Sequence, residues 1–257
     1  MVKKDVKFFE PSEVLERQKH RGIRWRCLAA SCEVNCCVRA RDTAIALHEI
    51  PSASRFFPIV FPYIRQLDGS LSLEIRAVYA LSLNYCDVDD EAGCAYLNPE
   101  RGCTLGENRL LACKKYPFAA VKDAQNQDNF GLKIALDCPG WSYEEGELVL
   151  DEKGEITEKF QREFINPLLS FMAGNPVRND FLTTITRLGL LVPRDILYRD
   201  IRVRVNTIDI EKLKQLDPYT LKKLVSKDYL RLMYHAYDSL ANFTILIDRY
   251  YERRGQS

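Results

Sequence analysis

No cysteine follows Cys138, although 119 of the 257 residues lie beyond it, so whatever chemistry the nine thiols perform is confined to the first part of the chain. The motif G-x-G occurs nowhere, which removes the usual glycine-rich turn that cradles a nucleotide or an adenosyl cofactor after a strand. No uninterrupted apolar run approaches the length of about 18 residues that a membrane-spanning helix needs. The opening MVKKDVKFFEPSEVLERQKHRG alternates charge with apolar residues and lacks a signal-peptide core. There is also no excess of charge: 37 basic and 36 acidic residues nearly cancel, so no global field draws the chain to nucleic acid or to an anionic membrane. The expectation is a cytoplasmic protein without a membrane segment, whose partner, if it has one, is another protein.

What is present is thiol. Nine cysteines stand at 27, 32, 36, 37, 86, 94, 103, 113 and 138. A reducing cytosol does not sustain structural disulfides, so thiols concentrated in one region point to metal binding or catalysis. Cys27-LAAS-Cys32-EVN-Cys36-Cys37 places four thiols in eleven residues, a density suited to soft-metal coordination by thiolates. Adjacent Cys36 and Cys37 project in divergent directions in most backbone conformations, and the paired C-x-x-C knuckles of a zinc ribbon are missing. Cys94, Cys103, Cys113 and Cys138 are spread over loops that must fold back to meet. Metal and fold would then be coupled.

The thiol asymmetry divides the chain into a cysteine-cluster metal-binding domain over residues 1–145 and a helical domain over 146–257. In the first, residues 71–83 (LSLEIRAVYALSL) alternate with period two and read as a strand, residues 130–136 as a second, and residues 13–19 as a short helix. In the second, Phe160, Phe164, Leu168 and Phe171 recur at helical spacing, and residues 181–188 continue the pattern until Val192-Pro193. Arg199 to Arg204, alternating with Ile201 and Val203, reads as an amphipathic edge strand and not as a nucleic-acid face. From Tyr229, the residues Leu232, Met233, Ala236, Leu240, Phe243, Leu246, Ile247 and Tyr250 form one stripe, predicting a single long helix with Ser226 as its N-cap. The expected fold class is α+β: a small loop-rich metal-bound cysteine domain with a few strands, followed by a mainly α-helical C-terminal domain.

The strings RCLAASCEVNCC, CAYLNPERGC, ACKKYPF and DCPG, in that order, resemble the YkgJ-type family of zinc- or iron-chelating cysteine-cluster proteins, which includes the flagellin lysine-N-methylases. The resemblance implies a metal set of Cys27, Cys32, Cys36, Cys37, Cys94, Cys103, Cys113 and Cys138, with Cys86 the extra thiol. It implies a 4Fe-4S iron–sulfur cluster, or alternatively zinc, and a protein-modifying methyltransferase activity. The absence of G-x-G weakens the methylase part. The spacing also departs from the compact C-x-x-x-C-x-x-C of radical chemistry. The competing expectation is a non-enzymatic electron-transfer or structural metal module that docks a partner through its helical half. No catalytic residue is assigned. Tyr116, Trp141 and Tyr143, beside Cys113 and Cys138, are the candidate cofactor-binding residues, where they shield a cluster or line a pocket. A lone His48, in ALHEIPS, is more often a core or surface residue than a ligand.

Overall fold

The computed structural model describes residues 8–9, 13–14, 22–28, 32, 36–39, 41–65, 69–98, 100–122, 130–136, 138–167 and 176–255. The architecture is mixed α/β, with several small antiparallel sheets and most of the longer helices after residue 176. The chain separates into two compact units that interleave in sequence. The first takes residues 1–36, 98–103 and 111–175; the second takes 37–97, 104–110 and 176–257.

The first unit carries two three-stranded sheets. In one, Phe130–Ala135 pairs with Phe118–Lys122 on one side and Phe8–Phe9 on the other. In the other, Ile23–Trp25 lies between Trp141–Ser142 and Glu147–Leu150, so that Trp25 stands opposite both Trp141 and Glu147. Ile23, Phe118, Ile134, Val149 and Leu150 share one core, the adjacent Val149 and Leu150 both entering it where the pairing with Ile23–Trp25 shifts register, and Phe160 and Ile165 close it from the following helical segment. Asp151 ends the strand: its carboxylate accepts from the backbone N–H groups of Lys153 and Glu155, and Gly154 completes the turn at φ +81°, where a side chain is costly.

The second unit is built around a long hairpin, Leu191–Tyr198 with Ile201–Ile208, joined across Arg199 and Asp200. In the second strand Ile201, Val203 and Val205 are buried while Arg202 and Arg204 are exposed, the period-two pattern of a sheet with one dry face. The last helix, Phe243–Arg253, lays Phe243, Leu246, Ile247 and Tyr250 on this face at spacings of three and four. Val60, Val78, Leu81 and Tyr85, far earlier in the chain, join the same core. Arg76 bridges Asp42 and Glu74 at 2.7 Å each, and the Tyr85 hydroxyl donates to Asp42 at 2.7 Å, which together satisfy the polar groups at the edge of that core.

Three expectations need correction. The C-terminal part is not a mainly helical domain: the eight-residue strands of the hairpin lie within it, because the alternation at 201–205 outweighs the helical spacing on either side. The single long helix expected from Tyr229 is instead Tyr229–Asp238, a 3-10 turn Ser239–Asn242, and Phe243–Arg253. Its interruption has a visible cause. The Ser239 hydroxyl donates to the Ala236 carbonyl at 2.6 Å and accepts the Ile59 N–H at 2.8 Å, while the Asn242 amide donates to the Ser54 carbonyl. Ser226 ends the preceding helix, Pro218–Ser226, and Asp228, at φ 61°, is the residue before Tyr229. Lastly, residues 71–83 hold two short strands, Leu71–Leu73 and Arg76–Val78, each paired to a different neighbour. Of the helix expected at 13–19 only Glu13 and Val14 are among the described residues, and Leu168 and Phe171 lie outside them.

Candidate functional site

The strand Ile23–Trp25 leads directly to Cys27, and the strand Trp141–Ser142 is led in by Cys138. The pairing of those strands therefore brings thiols that are remote in sequence into one neighbourhood. The junction is tight. The backbone N–H of Arg26 donates to the Gly140 carbonyl at 3.0 Å, and a Cβ on Gly140 would meet the Arg26 oxygen at 2.1 Å, so only glycine fits. The Trp25 indole N–H donates to the Cys138 sulfur at 3.4 Å.

Cys138 is buried, Cys32 half-buried and Cys27 exposed, a graded opening from core to solvent. Burial pushes the Cys138 thiol up, and Cys32 and Cys27 are near enough that their charge adds to the effect, while the hydrogen bonds from Trp25 and Gly140 oppose it. These donors are the type of outer-shell contact that steadies a thiolate.

The other candidate cysteines lie elsewhere. Cys36 and Cys37 begin the short helix Cys36–Arg39, Cys103 ends the strand Gly102–Cys103, and Cys113 sits in the helix Leu111–Lys115. In the second unit the Cys94 N–H donates to the Cys37 carbonyl at 2.9 Å, and Gly93 lies so close to Cys37 and Val38 that a Cβ would fall 2.4 Å from their backbone. Arg253 holds this loop from the last helix, donating to Asp90 and to the carbonyls of Gly93 and Cys94. Cys86 is a packed thiol: buried, 3.4 Å from the carbonyls of both Ser82 and Val88, and pushed up by its burial.

Of the three aromatic candidates, Trp141 is committed to the core of the first unit. Its indole donates to the Ala135 carbonyl at 2.9 Å and meets Phe118 edge to face at 5.6 Å. Tyr143 is exposed, and with Ile23, Leu136, Trp141 and Ser142 it lines a small cavity of about 170 Å³. Tyr116 is half-buried after the helix Leu111–Lys115. His48 is exposed, in the 3-10 helix Leu47–Glu49.

Sequence reasoning named the thiols but not Trp25, Arg26, Gly140 or Arg253. Trp25 belongs to no motif, and although Gly140 closes DCPG and Arg26 opens RCLAASCEVNCC, their roles follow only from strand pairing.

The expectation of an assembled metal-binding group is corrected here. Among the described residues, no group of three or more histidine, cysteine or acidic side chains is disposed to hold a metal ion. Of the eight thiols, Cys37 and Cys94 belong to the second unit and the other six to the first. Among the same residues no helix is long and apolar enough to cross a membrane.

No curated protein matches the chain, and no solved structure does. A family model described as SapC matches residues 15–246, and so reaches through the hairpin and the last helices, well past the final cysteine. This overturns the resemblance to the YkgJ-type cysteine-cluster family, on which the expectation of a methylase activity rested. The short cysteine strings ended at Gly140, whereas the match takes in almost the whole chain. The chain belongs to the SapC family.

Proposed function

We propose that the protein is a non-enzymatic thiolate module that takes up a soft metal centre, iron in an iron–sulfur cluster or else zinc, through the neighbourhood of Cys27, Cys32 and Cys138. The observation that carries this reading is that Cys27 and Cys32 are near enough for their charge to act on Cys138, whose sulfur accepts the Trp25 indole N–H at a junction where only glycine fits. Thiolate donors are the right chemistry for either metal. The thiols as they stand do not make a closed ligand set. In this reading the set closes when metal binds, as it does where metal affinity and folding are linked.

Three further expectations go with it. The module works in the cytoplasm, where such thiols stay reduced. Its near-neutral charge favours a protein partner over nucleic acid. Trp141 and Tyr143 screen the centre from water and do not bind a substrate.

Metal and acid-labile sulfide analysis of anaerobically purified protein tests the reading. Iron with sulfide and a brown colour support a cluster, and stoichiometric zinc without colour supports the zinc form. Protein that carries neither metal, and takes up neither on anaerobic reconstitution, rejects the proposal.

A further inference from the structure

Away from the cysteines, the helices Pro176–Arg187 and Pro218–Ser226 line an open cleft of about 330 Å³. Sequence spacing sets what each helix contributes. Arg187 and Leu188 follow Thr184 by three and four residues, at the end of the first helix and just past it; Lys223, Leu224 and Lys227 follow Thr220 at helical spacing on the second and its cap. Leu224 and Thr184 are buried and Leu188 half-buried, so they form the floor, whereas Arg187, Lys223 and Lys227 are exposed around the rim. The rim is therefore cationic and the floor apolar.

The rim charges are only partly compensated. Asp180 pairs with Lys227 at 2.7 Å and also accepts the Tyr229 hydroxyl, so its carboxylate is already committed. Among the described residues Arg187 and Lys223 have no carboxylate within ion-pair distance; the Lys223 ammonium instead lies 4.2 Å over the Tyr219 ring. Lys223 and Lys227, four residues apart, also repel each other. Arg187 feels Asp180 only through space and Lys223 has no direct ion-pair partner among the described residues, so the two cations over a leucine floor form a setting suited to an anion with an apolar body.

We propose that this cleft binds a small aliphatic carboxylate of medium chain length, its carboxylate between Arg187 and Lys223 and its alkyl chain against Leu188 and Leu224. The planar guanidinium suits two-point contact with a carboxylate. The volume lies at the lower end of ligand pockets and holds roughly ten non-hydrogen groups at the ~30 Å³ that a water molecule occupies, which is the size of octanoate.

Calorimetric titration of the full chain with octanoate, octanamide and acetate tests this. Octanoate is expected to bind one-to-one, and both octanamide, which lacks the charge, and acetate, which lacks the chain, to bind at least about tenfold more weakly. The double variant Arg187→Gln, Lys223→Gln, both positions being exposed, should keep the wild-type melting profile and lose octanoate binding by about tenfold or more. No octanoate binding, equal binding of octanoate and octanamide, equal binding of octanoate and acetate, or undiminished binding by the well-folded double variant would each overturn the proposal.

Discussion

Arg253 reaches from the last helix to the nearly buried Asp90 carboxylate at 3.0 Å and to the carbonyls of Gly93 and Cys94 at 3.1 and 2.8 Å. Its removal leaves a buried charge and two carbonyls without their donor. Arg253→Met should therefore cost about 3 kcal/mol in urea unfolding, and adding Asp90→Asn should recover part of that loss. At Gly140 the constraint is steric. Gly140→Ala should cost about 2 kcal/mol or more and alter tryptophan fluorescence, because Trp25 must shift when Arg26 does. Asp180 gives a pH-dependent effect. Its hydrogen bonds from Lys227 and Tyr229 hold its carboxyl below the ordinary value, so its contribution is complete above about pH 4 and is lost as pH falls through the lower folded value. Asp180→Asn should accordingly destabilise the protein at pH 7, and the gap should shrink in acid; a gap that widens in acid would refute the assignment. Arg253 and Asp180 did not stand out in the sequence, and Gly140 did so only as part of DCPG, beside Cys138. A salt bridge across 163 positions or a glycine under a carbonyl has no local signature.

At the scale of elements, local periodicity was informative where one face is dry. Ile201, Val203 and Val205 alternate with arginines, and the structure has a strand there; Phe243, Leu246, Ile247 and Tyr250 keep helical spacing, and the structure has a helix. Val203 is fully buried between them, so Val203→Ala should cost about 2 kcal/mol in thermal or urea unfolding, and Arg202→Ala, on the wet face, within about 0.5 kcal/mol of nothing. Periodicity misled where tertiary contacts intervene. The stripe from Tyr229 to Tyr250 reads as continuous, yet Ser239 and Asn242 spend their hydrogen bonds on Ile59 and Ser54, and the helix breaks there. The alternation across residues 71–83 likewise hides a break, because its two halves pair with different strands.

At the scale of the whole molecule, the second unit draws its core from residues inside the cysteine-bearing stretch and from residues far beyond it: Val60, Val78 and Leu81 pack with Val203 and Phe243. Cysteine counts follow sequence position and are blind to such interleaving, which is why a chain divided by thiol content does not reveal which segments share a core. The candidate site was legible in part. The residue types were evident from SCEVNCC and DCPG, but the approach of Cys138 to Cys27 and Cys32 depends on Trp141 pairing with Trp25, a register that spacing does not disclose. Short thiol strings also suggested a family that the match over residues 15–246 replaced. The central claim, that Cys27, Cys32 and Cys138 close on a soft metal, is tested most directly by anaerobic alkylation of the intact chain with and without stoichiometric zinc, read cysteine by cysteine by mass spectrometry. The account predicts that zinc protects these three thiols together while Cys86 reacts slowly in both samples. Alkylation of Cys27, Cys32 and Cys138 at the same rate with and without metal would contradict it.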